Sequence, residues 1–410
     1  MTVFRPFARP FYVMLKPAGS DCNLSCRYCY YLEKRRMYDE SAAFCMSDEL
    51  LELFTRQYIE AQTSAEVLFT WHGGEPLLRP LSFYRRALSL QRRYAGGRHI
   101  DNCLQTNGTL LTDEWCRFFR DNNFLIGISI DGPRRFHDAM RCNSFDDVMR
   151  GIELLDRHGV EWNAMAVVNS LNADSPLEFY RFFRDIGCRY IQFTPVVERI
   201  GAAGASSAQS PRHAPLSLVP GLTEGGRLTK TSVSSEQWGR FLCEIFDEWV
   251  YNDVGETFVQ IFDATLANWA GVPPGICSLA PVCGHSAAME FNGDLYSCDH
   301  FVFPDYRLGN IRTSTITEMM YGPRQTDFGN AKRALLPRQC RECRWLFACH
   351  GECPKNRFLR DCYGSPGLNY LCAGYRRYFE HVAPAMDYMK TELDAGRAPS
   401  SVMEWAKNRP

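Results

Sequence analysis

The sequence has no long hydrophobic run and no excess of charge of either sign, and both absences exclude classes of protein. Lys and Arg total 46 and Asp and Glu total 47, which gives a formal net charge of −1. Proteins that bind nucleic acid or anionic membranes usually carry a basic surface, so we expect neither partner. No apolar stretch approaches the roughly 20 residues that a transmembrane helix needs.

The sequence also shows no export signal. Arg5 and Arg9 lie near the amino terminus, but the apolar stretch after them stops at Lys16 and is too short for the core of a signal peptide. We therefore expect a cytoplasmic protein. In that reducing compartment the 18 cysteines argue against a disulfide framework and favour metal chemistry. Nine of them lie between Cys277 and Cys372.

Three cysteines near the amino terminus predict an unusual metal site. Cys22, Cys26 and Cys29 stand in the run Cys-Asn-Leu-Ser-Cys-Arg-Tyr-Cys. Three thiolates can hold a four-iron cluster in which one iron has no protein ligand. That iron can bind a cofactor directly, as the reductive cleavage of S-adenosylmethionine requires. Zinc is the alternative, but it needs four ligands, and no nearby His or Cys offers a conventional fourth.

Residues 11 to about 196 alternate short apolar segments with amphipathic ones, which is typical of a parallel sheet covered by helices. Six such units predict an α/β fold, a partial (β/α)6 barrel that is open on one side. A complete barrel needs two further units, which the sequence does not indicate. The cysteine motif follows the first strand, at the end of the sheet where barrels place their chemistry. The predicted strands are 11–15, 67–71, 102–105, 125–130, 163–168 and 190–193.

Local signals predict where several helices begin. Ser47 precedes two acidic residues, and Ser175 begins a capping box with Pro176 at the first helical position. Ser234 and Gln237 form another capping box, which predicts a helix to about residue 252.

Composition divides the chain into four parts. A partial barrel of residues 1–235 includes a predicted flexible insertion near 201–231, which is rich in Ala, Gly, Ser and Pro. A helical linker follows at 236–276. Residues 277–385 form a cysteine-rich domain of the kind that usually needs metal to fold. The remainder, 386–410, is a carboxyl-terminal tail.

The cysteine-rich domain offers eight thiolates, enough for two fully ligated four-iron clusters. Two structural zinc sites use the same number, so the spacing alone leaves both metals open. Cys362 is an alternative to Cys372 as the last ligand. Single cysteines elsewhere are often small buried apolar residues and receive no role. The eight are Cys277, Cys283, Cys298, Cys340, Cys343, Cys349, Cys353 and Cys372.

Together with the cysteines, several further segments resemble those of radical S-adenosylmethionine enzymes that carry a SPASM domain. Within that group the chain resembles the anaerobic sulfatase-maturating enzymes over nearly its whole length. Residues 368–375 also resemble that group, and they favour Cys372 over Cys362 as the last cluster ligand. The other segments are Gly73-Gly74-Glu75-Pro76, Gln105-Thr106-Asn107-Gly108, Ser129-Ile130-Asp131-Gly132, Cys298-Asp299-His300-Phe301 and residues 340–355.

The resemblance implies S-adenosylmethionine and three four-iron clusters as cofactors. It assigns the first auxiliary cluster to Cys277, Cys283, Cys298 and Cys353, and the second to Cys340, Cys343, Cys349 and Cys372. The family often has two glycines before the cysteine that matches Cys353, whereas this chain has Gly351-Glu352.

The resemblance, together with the barrel, also implies contacts to S-adenosylmethionine. The main chain of Gly73 and Gly74 is expected to meet the methionyl amino group, with Glu75 as a second anchor. A turn, a helix cap or a surface salt bridge is the ordinary structural alternative for these residues. The ribose hydroxyls are assigned to Ser129 and Asp131, and the carboxylate to Arg141.

The activity that the resemblance implies is oxidation of a Cys or Ser in a sulfatase to Cα-formylglycine. A 5′-deoxyadenosyl radical removes hydrogen from the β-carbon of the target, within a Cys/Ser-x-Pro-x-Arg motif. Asp299 is expected to take the proton, and burial or a neighbouring cluster must raise its pKa for it to serve as a base. Tyr31 is expected to hydrogen-bond the peptide.

A low-potential donor such as flavodoxin or ferredoxin is the expected electron source, and the auxiliary clusters are the expected electron exit. Two alternatives remain. Another SPASM peptide maturase, which forms a thioether or carbon crosslink, uses the same radical initiation. A noncatalytic zinc-binding scaffold uses the same cysteines without redox chemistry.

Overall fold

The computed structural model describes residues 10–38, 44–201 and 225–408. Arg5 and Arg9, and residues 202–224 of the predicted insertion, lie outside the described residues.

One large sheet organises the described part of the chain, and two pairs of short antiparallel strands lie apart from it. The strands are β1 (Tyr12–Leu15), β2 (Glu66–Trp71), β3 (His99–Thr106), β4 (Phe124–Ser129), β5 (Trp162–Val168), β6 (Tyr190–Pro195), β7 (Arg199–Ile200), β8 (Arg227–Leu228), β9 (Phe258–Val259), β10 (Ser286–Met289), β11 (Asp294–Tyr296), β12 (Arg307–Asn310), β13 (Arg357–Arg360) and β14 (Pro366–Asn369).

The order of the large sheet is β12-β11-β10-β1-β2-β3-β4-β5-β6-β9. Strands β1 to β6 pair in parallel and in chain order, which confirms the six predicted units. Two further parallel strands, β9 beside β6 and β10 beside β1, extend the sheet. The sequence pattern did not predict these two strands: β9 is only two residues long, and β10 lies in the cysteine-rich region, outside the alternating pattern of strands and helices.

Helices cover the sheet, and further helices follow it toward the carboxyl terminus of the chain. They are α1 (Asp48–Ala61), α2 (Leu81–Tyr94), α3 (Asp113–Asp121), α4 (Arg134–Met140), α5 (Phe145–His158), α6 (Pro176–Asp185), α7 (Ser235–Asn252), α8 (Gln260–Trp269), α9 (Ile316–Tyr321), α10 (Pro323–Ala334), α11 (Arg338–Arg341), α12 (Leu346–Cys349), α13 (Cys372–Asp394) and α14 (Val402–Lys407). Within the described ranges, none of them combines the length and apolarity that crossing a membrane requires.

The predicted helix starts are observed, with one difference in detail. The Ser47 hydroxyl accepts the Leu50 N–H at 3.2 Å, and Ser234 and Gln237 form the reciprocal capping box. Ser175 precedes α6, but its side chain makes no capping hydrogen bond. The proline after it is sufficient to begin that helix, because its fixed φ suits the first helical position.

Helix α7, in the predicted linker, packs directly on α13. A Cβ added to Gly239 would lie 2.7 Å from the Gly374 Cα, and one added to Gly374 would lie 2.1 Å from the Ser235 carbonyl oxygen. Only glycine at both positions lets the two backbones approach so closely. The proposed boundary between residues 385 and 386 falls inside α13.

The pairing of β10 with β1 brings the cysteine-rich part of the chain into the barrel sheet. Tyr12 lies opposite Ser286 and Leu15 opposite Met289, so both strands end at the same edge. The loop after β1 carries the cysteine motif, and the hairpin after β10 leads to Cys298. Two distant parts of the chain therefore meet at the carboxyl end of the sheet, where such folds place their active sites.

Candidate active site

The loop after β1 places three thiols around a common space. Cys22, Cys26 and Cys29 interact electrostatically with one another, and burial raises the pKa of Cys22 to about 11 and of Cys26 to about 12. A metal that binds thiolates must displace these protons. The Leu24 N–H donates to the Cys22 sulfur at 3.4 Å, a contact that favours the thiolate. This donor set fits a cluster held by three thiolates.

Gly73 and Gly74 contact the backbone of the cysteine loop. The Gly74 N–H donates to the Gly19 carbonyl and the Glu75 N–H to the Asp21 carbonyl, both at 2.8 Å. A Cβ on Gly74 would lie 2.0 Å from the Asp21 carbonyl oxygen. Glycine is required here by the cysteine loop itself, in addition to any approach of a cofactor.

Glu75 is fully buried and binds the end of β3. One carboxylate oxygen accepts the Leu77 N–H at 2.9 Å and the Thr106 hydroxyl at 2.8 Å, and the other accepts the Asn107 N–H at 2.8 Å. Burial raises the pKa of Glu75 to about 7, against these hydrogen bonds, which lower it. Glu75 thus joins the glycine pair to the loop after β3, and its contact with S-adenosylmethionine stays a prediction.

Ser129, Asp131 and Arg141 lie together near the end of β4. The Gln105 side chain donates to the Ser129 hydroxyl at 2.9 Å. The Arg141 Nε donates to Asp131 at 3.0 Å, and both side chains are buried. Asp131 also accepts the Tyr28 hydroxyl and a backbone N–H of β5. Both oxygens of Asp131 therefore have protein partners, an arrangement suited to orienting Arg141. The ribose and carboxylate contacts stay predictions.

His137 hydrogen-bonds the backbone of Asp131 and is expected to make the buried ion pair between Asp131 and Arg141 sensitive to acid. Its Nδ1 accepts the Asp131 N–H at 3.3 Å, and its Nε2 lies 3.0 Å from the Ser144 hydroxyl. A proton on Nδ1 would point at the Asp131 N–H and remove this hydrogen bond. Burial, helped by the charge of Arg141, lowers the pKa of His137 from 6.5 to about 4.

The folded protein therefore binds this proton more weakly than the unfolded chain does. Stability that is present above pH 6.5 is lost as the pH falls toward 4, by about 2 kcal/mol between pH 7 and pH 5. Denaturant unfolding of wild type and His137→Gln at both pH values measures this effect, because glutamine can make both hydrogen bonds without titrating. His99→Gln, on the surface, is the control. Equal pH slopes in wild type and His137→Gln would contradict the assignment.

Asp299 lies buried where the loops after β1 and β11 meet. Its two oxygens bind the Lys16 ammonium and the Tyr30 hydroxyl. Burial alone would raise the pKa of Asp299, but the charges of Lys16, His72 and His300 outweigh burial, and the pKa is lowered. The expected rise in the pKa of Asp299 is not observed, because the Lys16 ammonium contacts this carboxylate, and the sequence does not show that these two distant residues meet.

Tyr31, the predicted peptide contact, faces the same buried charges. Its hydroxyl donates to Glu290, and the Lys16 ammonium lies 3.5 Å from its ring centroid. In the described part of the chain, the second carboxylate oxygen of Glu290 is buried without a hydrogen-bond partner. The contact of Tyr31 with a peptide stays a prediction.

Sequence reasoning alone misses Lys16, Tyr30, His72 and Glu290. A polar residue directly after a buried strand marks the catalytic edge of a parallel sheet, and that signal could have found Lys16 after β1 and His72 after β2. Glu290 follows β10, which the sequence does not predict.

The eight carboxyl-terminal cysteines form two groups in space. The members of each group interact electrostatically with one another. The second group lines a surface cavity of about 510 Å³. The first group is Cys277, Cys283, Cys298 and Cys353, and the second is Cys340, Cys343, Cys349 and Cys372.

Neither these groups nor the amino-terminal one is arranged for a single ion. Among residues 10–38, 44–201 and 225–408, no three or more His, Cys, Asp or Glu side chains are placed to hold one metal ion. A four-iron cluster separates its thiolates by several atoms, whereas zinc draws four ligands to about 2.0–2.3 Å from one centre. Two groups of four thiols match the ligand number of two fully ligated four-iron clusters.

Comparison with known proteins agrees with this geometry. Residues 17–183 match the Radical SAM superfamily, and residues 281–344 match the SPASM iron-sulfur cluster-binding domain. The serine-type anaerobic sulfatase-maturating enzyme of Bacteroides thetaiotaomicron is 61% identical over 99% of this chain and 98% of its own length. That of Klebsiella aerogenes is 36% identical over 95% of this chain and 89% of its own length.

A solved structure shares the fold. The structure of native anSMEcpe with bound AdoMet and Cp18Cys peptide superposes with a TM-score of 0.79 at 29% identity, covering 94% of this chain and 100% of that chain. The cysteine motif, the SPASM segment and the full-length similarity all point to one group of proteins. This chain belongs to the anaerobic sulfatase-maturating enzymes, a family of radical S-adenosylmethionine enzymes with a SPASM domain.

Proposed function

We propose that this protein oxidises a serine, or less readily a cysteine, of a sulfatase polypeptide to Cα-formylglycine. The preference for serine rests on the serine-type relatives, which are 61% and 36% identical to this chain. The observation that carries the proposal is the hydrogen bond between Tyr30 and Asp299. Each of these residues directly follows a predicted cluster ligand, Cys29 and Cys298, so the bond joins the two cluster loops around one buried carboxylate.

The cofactors of the family are S-adenosylmethionine, its four-iron cluster and the further clusters of the SPASM domain. When bound, they supply the 5′-deoxyadenosyl radical, which removes one β-hydrogen from the target residue. The second hydrogen leaves as a proton, and the auxiliary clusters supply a redox centre for the electron that is released with it. Cys22, Cys26 and Cys29 are the proposed ligands of the first cluster. The two groups of four carboxyl-terminal cysteines are the proposed ligands of the others.

Asp299 is the proposed acceptor of that proton. Its lowered pKa keeps it ionised, and Lys16 and Tyr30 hold its two oxygens in place. A carboxylate has about four acceptor positions, so these two contacts leave room for a substrate hydroxyl. Burial of the carboxylate keeps water from competing for the same position.

The proposed substrate segment is Cys/Ser-x-Pro-x-Arg, and Tyr31 is proposed to hold it near the target residue. The proposed electron donor is a low-potential protein such as flavodoxin or ferredoxin. We place the reaction in the cytoplasm, where reducing conditions protect clusters of this kind.

Anaerobic incubation with S-adenosylmethionine, reductant and matched peptides tests the proposal. The Ser peptide is expected to lose two hydrogens and gain an aldehyde that a hydrazide reagent traps, at a higher rate than the Cys peptide. A peptide with Ala at the target and the triple variant Cys22/Cys26/Cys29→Ala are the controls. Loss of two hydrogens without an aldehyde would indicate a crosslinking maturase, and a faster reaction of the Cys peptide would reverse the proposed preference.

A further inference from the structure

The segment between the two carboxyl-terminal cysteine groups has an unusual backbone. Cys349 of the second group and Cys353 of the first are separated by three residues, His350, Gly351 and Glu352. Their φ values are +48°, +74° and +54°, so all three occupy the left-handed region. Two of them are not glycine, and such a conformation persists only where surrounding contacts hold it.

Arg357 makes those contacts. Its side chain is almost completely buried, with 1% of the residue exposed. Its Nε donates to the Gly351 carbonyl at 2.8 Å, and its Nη2 donates to the carbonyls of His350 at 2.8 Å and Glu352 at 2.9 Å. The remaining nitrogen, Nη1, donates to the Lys332 carbonyl. The planar guanidinium fork thus binds all three carbonyls of the left-handed segment.

The charge of this guanidinium faces both cysteine groups. In the part of the chain that the structure describes, no carboxylate forms an ion pair with Arg357. Its electrostatic partners include Cys283 and Cys353 of the first group and Cys340 of the second, together with Glu352. Arg357 therefore lies between the two groups.

A second buried cation, Lys332, is placed differently. Its ammonium donates to the Cys277 carbonyl at 2.6 Å and the Ser278 carbonyl at 2.8 Å. Its charge acts on the thiols of Cys277 and Cys283, both in the first group. Lys332 thus provides a natural comparison, because it is a buried cation beside one group only.

We infer that Arg357 is a positioning residue that raises the reduction potentials of both auxiliary clusters and fixes the segment between them. A buried positive charge stabilises the more negative, reduced form of a nearby cluster, and the low dielectric of the interior strengthens the effect. Lys332 does the same for the first cluster alone. This inference rests on the proposed cluster ligands but not on the peptide that the enzyme oxidises.

Redox titration of the holoenzyme, followed by electron paramagnetic resonance without peptide, tests the inference. Cys343→Ala removes a proposed ligand of the second cluster and so identifies that cluster's signal. Arg357→Met is expected to lower the midpoint potentials of both auxiliary clusters, and Lys332→Met to lower only that of the first. Arg357→Lys keeps the charge but loses the planar fork, so its midpoint potentials are expected to lie closer to wild type than those of Arg357→Met. Unchanged midpoints in an Arg357→Met protein with full iron content would overturn the inference.

Iron content separates this electrostatic role from a purely structural one. If Arg357→Met loses iron, Arg357→Gln replaces it as the neutral variant. If both neutral variants lose the clusters, retained clusters and wild-type midpoints in Arg357→Lys support the role of the charge. Equal loss in Arg357→Lys contradicts it. Because no peptide is present, failure to form formylglycine leaves these measurements unaffected, and the two proposals fail independently.

Discussion

Asp299→Asn is expected to lower formylglycine formation by about 10²–10⁴-fold, the usual contribution of a general base, while S-adenosylmethionine is still cleaved. Asparagine keeps the shape of the side chain, and its carbonyl oxygen can still accept from Lys16 or Tyr30. It cannot accept the substrate proton. The rate of 5′-deoxyadenosine formation and the yield of peptide aldehyde, measured in the same reaction, separate the two steps.

Asp305→Asn is the matched control, because Asp305 lies exposed in the same segment, six residues later. This variant should form both products at wild-type rates. If Asp299→Asn gives full aldehyde yield, Asp299 is not the proton acceptor. If it loses both products together, its main role is structural, through the buried pair with Lys16.

Gly74→Ala is expected to prevent assembly of the amino-terminal cluster. Its Cβ would lie 2.0 Å from the Asp21 carbonyl oxygen, 2.6 Å from the Asp21 carbonyl carbon and 2.8 Å from that of Ser20. All three atoms belong to the backbone of the cysteine loop, so no side-chain rotation can relieve the overlap. The loop must move, and its three thiols move with it.

Iron analysis and 5′-deoxyadenosine formation measure this effect. Iron is expected to fall from about twelve to about eight atoms per chain, since the proposed ligands of the other two clusters all lie between Cys277 and Cys372, outside this loop. Gly159→Ala is the control: Gly159 ends α5 with a φ of +65°, and a Cβ there meets no atom within 4 Å. That variant bears only backbone strain of about 1 kcal/mol and should keep its iron. Full iron and normal cleavage in Gly74→Ala would show that the loop tolerates the displacement.

The buried Lys16 changes how the site is understood. From the sequence, Asp299 needs a raised pKa to be a competent base, yet its pKa is lowered. The same contacts give it a fixed orientation and a permanent negative charge. The proposed role of Asp299 therefore rests on its ionised state and fixed orientation, not on a high affinity for the proton.

The cysteines of the site, and their place on loops that follow strands of the sheet, could be predicted from the sequence. The spacing of Cys22, Cys26 and Cys29 indicates a cluster with an open iron, and the alternation of strands and helices predicts six parallel strands, all of which are observed. These features depend on local spacing and on burial patterns along a few consecutive residues, which the sequence contains.

Only the tertiary structure decided which distant residues meet. Strand β10 is four residues long, and it pairs with β1, a strand from the opposite part of the sequence. That pairing places Asp299 against Lys16 and Tyr30, 283 and 269 residues away along the chain. The lowered pKa of Asp299 and the position of Arg357 between two cysteine groups follow from such long-range contacts. Their energies depend on burial and distance in three dimensions, which a linear pattern of residues does not specify.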